Sequence, residues 1–186
     1  MTVTHLTLEE LEAGLDAIRQ APRDGGVLEL IVRRPAVGAR EVVGEGQLDP
    51  AHGLVGDSWS ARGGFRRRDV PDPDTQINVM CARVIALLAQ DKSRWPLAGD
   101  QLYVDLDLSA ENLPPGTQLA FGGAVIEVTA EPHTGCGKFI SRFGVDAATF
   151  VNSATGRRLQ LRGINAKVVQ AGAIRVGDRV TKVTRG

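Results

Sequence analysis

Near the start of the chain, leucine and isoleucine positions recur with the period of a helix. Spacings of 3, 4 and 3 residues place them on one face of a helix over residues 7–22. Thr7 and Glu10 have the spacing of a capping box, in which each side chain binds the other residue's backbone N–H. We therefore predict an N-terminal helical extension over residues 1–22. The apolar positions are Leu8, Leu11, Leu15 and Ile18.

Beyond residue 26 the apolar positions follow the shorter period of strands, and they lie in short segments separated by glycine-rich turns. A Gly-Gly pair at 122–123 is typical of a hairpin turn. One helix is predicted after a short strand, and no strand–helix–strand rhythm appears. The strand segments are 27–35, 76–80, 101–109, 117–122, 124–130, 158–172 and 173–183, and the helix is 81–90. The pattern predicts a mainly β, mainly antiparallel β-barrel with a few peripheral α-helices.

Length, charge and cysteine content restrict the functional class. The 186 residues are enough for one domain with a sizeable core. Basic and acidic residues number 22 each, which disfavours a nucleic-acid-binding protein. No apolar run reaches the length of a membrane-spanning helix. Two cysteines 55 residues apart do not form a disulfide framework, so we expect a cytoplasmic protein with reduced thiols.

The segment EPHTGCGKF at 131–139 holds the most concentrated candidate chemistry. Cys136 lies between two glycines, which leave backbone amides uncovered, and His133 and Lys138 bring positive charge close to it. These features favour an exposed thiolate on a loop that follows a strand. The alternative is a small buried cysteine in a turn. Cys81 opens an apolar helix, so we predict that it packs in the core.

Other kinds of chemistry remain open for this segment. A catalytic zinc held by His133, Cys136 and His52 is one alternative, whereas a structural zinc site needs four Cys or His ligands, which this segment does not supply. A cysteine hydrolase would use Cys136 as nucleophile and a histidine as base. The L,D-transpeptidases carry a His-Gly-Cys motif, from which this chain differs by an inserted threonine.

A long polar region over 44–74 contains a cluster of four arginines. Such long loops in compact domains are either mobile or functional. The guanidinium groups and nearby glycine amides suit a phosphate or another anion, while a solvated basic loop is the alternative. The arginines are Arg62, Arg66, Arg67 and Arg68.

Taken in order, these motifs resemble a MOSC domain, the family named for the C-terminal part of molybdenum-cofactor sulfurases. The resemblance covers residues 27–183: the early strand, GLVGD at 53–57, the basic loop, the QIN strand and helix, and the segment 98–139. The closing GAIRVGDRV at 172–180 completes the order. It implies a single domain over 1–186 with a closed antiparallel barrel at about 27–183.

The resemblance also implies roles for individual residues. Cys136 matches the family cysteine, which ligates the metal of the molybdenum cofactor (molybdopterin), and basic residues hold the pterin phosphate. His133, Asn112 and Asp57 are expected to shape the pocket or to relay protons. Two departures are His-Thr-Gly before the cysteine and Ala110-Glu111-Asn112 in place of Gly-Glu-Asn. The expected phosphate-binding residues are Arg62, Arg66, Arg67, Arg68 and Lys138.

Three functions follow from the resemblance. The first is an oxidoreductase that reduces N-hydroxylated small molecules with electrons from an external donor. The second is a sulfur carrier, in which Cys136 bears a persulfide received from a cysteine desulfurase. The third is a binding module without the cofactor. A small-molecule substrate is expected, whereas nucleic acid and membrane partners are not.

Overall fold

The computed structural model describes residues 3–64 and 69–184, and its architecture is mainly β with peripheral helices. No helix in these ranges is long and apolar enough to cross a membrane. The strands of the described part are β1 (Gly26–Arg33), β2 (Glu41–Val43), β3 (Glu45–Asp49), β4 (Gly53–Leu54), β5 (Ile77–Cys81), β6 (Leu102–Asp105), β7 (Gln118–Phe121), β8 (Ala124–Val128), β9 (Ile164–Gln170), β10 (Gly172–Arg175) and β11 (Arg179–Lys182). The α-helices there are α1 (Leu8–Ala13), α2 (Leu15–Arg19), α3 (Ala82–Ala89), α4 (Gly137–Phe143), α5 (Val145–Asn152) and α6 (Ala154–Arg158).

Within the described residues, seven strands close into the predicted barrel in the order β1-β11-β7-β8-β9-β5-β6, with β6 pairing back to β1. All neighbours are antiparallel except β5 and β6, which are parallel. Parallel neighbours need a crossover connection, and α3 followed by the 3₁₀ helix Lys92–Ala98 provides it. The closed barrel is therefore confirmed, but its strands are mixed rather than wholly antiparallel. β2 extends β1 outside the ring, and β10, β3 and β4 form a second sheet.

The alternation of the strand sequences produces the barrel core. In β8 every second residue is buried, and the partner strand β7 follows the same rule. Phe121 and Ile126 are fully buried there, and each such side chain contributes about 1.5–3 kcal/mol to stability. The Tyr103 hydroxyl is also buried and donates to the Trp95 carbonyl at 2.8 Å. Cys81 lies in this core, as predicted.

The N-terminal extension has its capping box but consists of two helices. The Thr7 backbone N–H donates to the Glu10 carboxylate at 2.8 Å, and the Glu10 backbone N–H donates to the Thr7 hydroxyl at 3.3 Å. Gly14 then caps the end of α1 before α2 begins. His5 Nε2 lies 3.1 Å from the Arg142 carbonyl, at the end of α4. The extension thus packs on the helices that follow Cys136.

No helix was predicted from the sequence beyond residue 90, but residues 137–158 are largely helical. They form α4, α5 and α6. Phe139, Phe143, Ala147 and Phe150 recur at spacings of 4, 4 and 3 and are buried, which is a helical pattern. The long region 44–74 is also more regular than predicted, because β3, β4 and the 3₁₀ helix Trp59–Ala61 lie within it and the 3₁₀ helix Pro73–Thr75 begins at its end.

Candidate functional site

A cleft of about 410 Å³ opens where the loop after β8 meets residues that follow β1 and precede β9. Polar and charged side chains dominate its lining. Cys136 and His133 come from the loop, while the arginines come from three separate parts of the chain. Lining residues used below are Arg34, Trp59, Arg62, His133, Cys136 and Arg162.

Cys136 occupies the N-cap position of α4 and is exposed to solvent. The helix begins here because Phe139 and Phe143 anchor its apolar face in the core, with their rings 5.0 Å apart. Burial alone would raise the pKa of the Cys136 thiol, but the backbone N–H groups of Phe139 and Lys138 and the charge of Arg162 lower it. The site therefore favours the thiolate, which is the nucleophilic and metal-binding form of cysteine.

The peptide before Cys136 is fixed by the side chain of Asn152 at the end of α5. The Gly135 backbone N–H donates to Asn152 Oδ1 at 3.0 Å, and Asn152 Nδ2 donates back to the Gly135 carbonyl at 3.2 Å. A Cβ at position 135 would lie 3.1 Å from Asn152 Nδ2 and 3.2 Å from Val151, so glycine permits this close approach. The cysteine loop is consequently held against α5.

Behind the loop, a buried carboxylate joins a histidine and an arginine. Asp100 Oδ1 lies 2.8 Å from His133 Nε2, and Arg162 Nη1 donates to Asp100 Oδ2 at 2.7 Å. Arg162 Nη2 also donates to the Ala98 carbonyl at 2.9 Å. Gly163 allows the adjacent turn, because its φ is +113° and a Cβ there would lie 2.3 Å from the Val79 carbonyl oxygen.

The protonation states of this group follow from its charges. Burial would raise the pKa of Asp100, but Arg162 and His133 lower it to about 2, so the carboxylate is ionised. Burial and the charge of Arg162 lower the pKa of His133, which favours its neutral form at pH 7. Because an ionised carboxylate only accepts hydrogen bonds, His133 Nε2 carries the proton. His133 Nδ1 is then left as an acceptor.

A second ion pair supports the opposite wall of the cleft. Arg34 binds Asp57 through two nitrogens, at 2.8 and 3.0 Å, and both side chains are largely buried. Arg34 also donates to Asn78 Oδ1 at 2.8 Å. Arg62 is half-exposed, donates to the Ser58 hydroxyl at 2.8 Å and lies 3.8 Å from Asp57.

Only some of the residues singled out in the sequence lie together. Cys136, His133 and Arg62 line the cleft. Asp57 lies behind the wall, with its carboxylate bound by Arg34. Lys138 is exposed on α4 and its side chain is not part of the lining. Three predicted arginines, Arg66, Arg67 and Arg68, lie outside the described residues.

Asn112 lies elsewhere in the fold and has its own set of partners. Its Nδ2 donates to the carbonyls of Arg23 and Asp107, at 2.9 and 2.7 Å. Its Oδ1 accepts from Lys182 Nζ at 2.6 Å. Its side chain thus ties the N-terminal segment to the turn after β6 and to β11, and it does not line the cleft.

Three charged residues of the site were not predicted from the sequence: Arg34, Asp100 and Arg162. Asp100 belongs to a Gly-Asp pair, which in the sequence indicates a turn and nothing more. Arg34 follows β1 directly, and Arg162 lies two residues before β9 begins at Ile164. For Arg34 the only signal is a charged residue directly after a buried strand, a feature that is common in proteins.

The arginine nitrogens that line the cleft suit an anionic ligand, and Cys136 adds one sulfur atom to the lining. In the described residues no group of three or more His, Cys, Asp or Glu side chains is arranged to hold a metal ion. His52 instead lies 2.9 Å from Asp49 in the β3–β4 turn. Within the described structure, the buried Trp59 Nε1 and Arg162 Nε have no hydrogen-bond partner. Both residues line the cleft, so a ligand rich in acceptors would fit its chemistry.

Comparison with known proteins identifies similar sequences and folds. The family model described as the MOSC domain matches residues 72–181, more than half of the chain and a range that includes Asp100, His133, Cys136 and Arg162. A search of curated proteins found no match.

Solved structures with a similar fold include YuaD from Bacillus subtilis, with 19% identity and a TM-score of 0.59 over 86% of this chain and 97% of that one. YiiM from Escherichia coli is 20% identical, with a TM-score of 0.54 over 86% of this chain and 71% of that one. YiiM from Geobacillus stearothermophilus is 15% identical, with a TM-score of 0.52 over 88% and 74%. At these identities the likeness concerns the fold.

Proposed function

The chain belongs to the MOSC domain family, and from this premise we propose that its cleft binds the molybdenum cofactor through Cys136 and reduces N-hydroxylated small molecules. The observation that carries the proposal is the exposed Cys136 thiol, whose pKa is lowered at the edge of an arginine-lined cleft. Molybdenum accepts soft thiolate ligands. The cytoplasm, where thiols stay reduced, is the proposed location.

The residues present fit the chemistry of this cofactor. Cys136 would hold the metal, and Arg62 and Arg162 would hold anionic oxygens of the pterin phosphate. The partnerless Trp59 Nε1 is a further donor for the pterin portion. When bound, the cofactor would supply the chemistry that removes the oxygen atom from the substrate.

Residues of this chain would hold and transfer the protons that the reaction consumes. Conversion of an N–OH group to N–H releases water and consumes two electrons and two protons. His133 is neutral with Nδ1 as an acceptor, so it can hold a proton there and transfer it. Asp100 fixes this tautomer and stabilises the protonated ring. The electrons would come from an external donor protein.

Metal content tests this proposal directly. The protein is purified from a host that makes the cofactor, and molybdenum per chain is measured for the wild type, Cys136→Ala and Cys81→Ala. We expect about one molybdenum in the wild type and in Cys81→Ala, and none in Cys136→Ala. Cys81→Ala is the matched control because that thiol is buried in the core. Equal metal in all three proteins would refute the role of Cys136.

A second candidate function is a sulfur carrier. It is favoured by the exposure of Cys136, since a persulfide must be reached by a cysteine desulfurase and by an acceptor. In this case the purified wild type contains no molybdenum, and mass spectrometry detects one additional sulfur on Cys136 after incubation with a desulfurase and cysteine. If neither molybdenum nor a persulfide is found, the remaining candidate is a binding module without the cofactor.

A further inference from the structure

A second cavity, also of about 410 Å³, adjoins the cleft and shares with it the segment 132–134 and Arg162. Its remaining wall comes from the end of α5, from α6 and from the turn before β9. This volume lies in the range of sites that take small organic ligands. The residues outside the shared part are Val151, Asn152, Gly156, Arg157, Gln160 and Gly163.

The cavity differs from the cleft in its charge. The cleft includes the carboxylates of Asp72 and Glu131, whereas no acidic residue appears among the described residues that line the second cavity. Two arginines do. Arg162 is buried and its charge is offset by Asp100, although its Nε has no partner. Arg157 is exposed, and no described acidic residue forms an ion pair with it.

The rest of the lining is apolar or neutral. Val151, Pro132 and the backbones of Gly156 and Gly163 provide a wall without charge. The amide of Asn152 is occupied by Gly135. A flat apolar group can pack against such a wall, while an anionic group pairs with the exposed guanidinium.

We propose that this cavity binds a small ligand with a planar apolar body and a carboxylate, and that Arg157 pairs with the carboxylate. A planar carboxylate matches the two parallel donors of a guanidinium group. A phosphate ester shares this chemistry, so the experiment compares both anions. The two cavities share residues 132–134 and Arg162, but the proposed ligand does not contact Cys136, which lines only the cleft.

The test is calorimetric titration of the full chain with benzoate, with benzamide as the neutral probe of equal shape. We expect Arg157→Gln to weaken benzoate binding about tenfold, the usual effect of losing a charged hydrogen-bond donor. Arg158→Gln is the matched control, since Arg158 is the next residue, is also exposed and does not line this cavity. Benzamide should bind the wild type about as weakly as benzoate binds Arg157→Gln.

Further variants locate the ligand. Benzoate affinity that is unchanged in Cys136→Ala supports a site apart from the cleft, whatever the metal content of the protein. Loss of affinity in that variant would place benzoate in the cleft and overturn the proposal. So would the absence of benzoate binding up to about 10 mM, or equal affinities of Arg157→Gln and the wild type. If inorganic phosphate binds as tightly as benzoate, the claim that the ligand has an apolar body is overturned.

Discussion

Asp100 is the side chain whose replacement tests the site network most directly. Asp100→Asn keeps the size of the side chain and removes its charge. Arg162 would then be a buried cation that contacts an amide and the Ala98 carbonyl in place of a carboxylate. Removing one partner of a buried ion pair leaves the other charge uncompensated. We expect the free energy of unfolding at pH 7 to fall by about 3 kcal/mol.

The pH dependence of stability gives a second expected magnitude. Arg162 and His133 lower the pKa of the buried Asp100 from 3.8 to about 2. Because this pKa is lower in the folded protein than in the unfolded chain, the stabilisation is complete above about pH 4. It is lost as the pH falls through the folded value near 2. At 1.36 kcal/mol for each pKa unit, the loss is about 2 kcal/mol.

Urea unfolding monitored by tryptophan fluorescence, at several values between about pH 7 and pH 2, measures both effects. The wild type should lose about 2 kcal/mol more than Asp100→Asn over the acidic part of this range. Asp16→Asn is the control, because the Asp16 side chain is 89% exposed and its ion pair with Arg19 contributes little. The free energies of unfolding of the wild type and Asp100→Asn could fall in parallel as the pH is lowered, or Asp100→Asn could be as stable as the wild type at pH 7. Either result would show that this carboxylate is not the partner that stabilises Arg162.

Three further predictions concern the thiols, the loop and the core. In the folded protein, iodoacetamide should modify Cys136 with a pH midpoint below about 8.5, the value of an ordinary thiol, and should modify Cys81 only after unfolding. Asn152→Leu should raise that midpoint, because losing both hydrogen bonds to Gly135 frees the loop from its position at the start of α4. Tyr103→Phe should lower the free energy of unfolding by about 1–2 kcal/mol, because a buried carbonyl loses its donor.

Matched measurements separate these effects from general destabilisation. Gln160 lines the same cavity as Asn152 but does not bind Gly135. Gln160→Asn should therefore leave the pH midpoint of Cys136 modification unchanged. A wild-type midpoint at or above that of an ordinary thiol would contradict the thiolate assignment. Tyr103→Phe that unfolds at the same urea concentration as the wild type would show that its hydroxyl does not stabilise the fold.

Local patterns in the sequence predicted most of the barrel. The hairpin of β7 and β8 forms around the Gly-Gly pair at 122–123, and the capping box of Thr7 and Glu10 begins α1. β5 and α3 also lie within two residues of their predicted bounds. These elements depend on backbone conformation and on periodicity within a few residues, so the sequence contains the information directly.

The helices after Cys136 were not predicted, because each is short and glycines and serines interrupt them. α4 ends at Phe143, directly before Gly144, and Ser153 caps α6. No single segment there is long enough to show a strong helical period. Their stability comes from packing: Phe139 and Phe143 fill the core, and the N-terminal extension covers α5. Such contacts belong to the tertiary structure.

The sequence by itself determined a mainly β fold and the neighbourhood of Cys136 and His133, which lie three positions apart. Only the tertiary structure decided which charges face them. Asp100 lies 33 positions from His133 and 62 from Arg162, and the pairing of β8, β9, β5 and β6 brings the three together. Burial and ion pairing together then set the charge states, and both depend on distances in space. Spacing along the chain does not specify those distances.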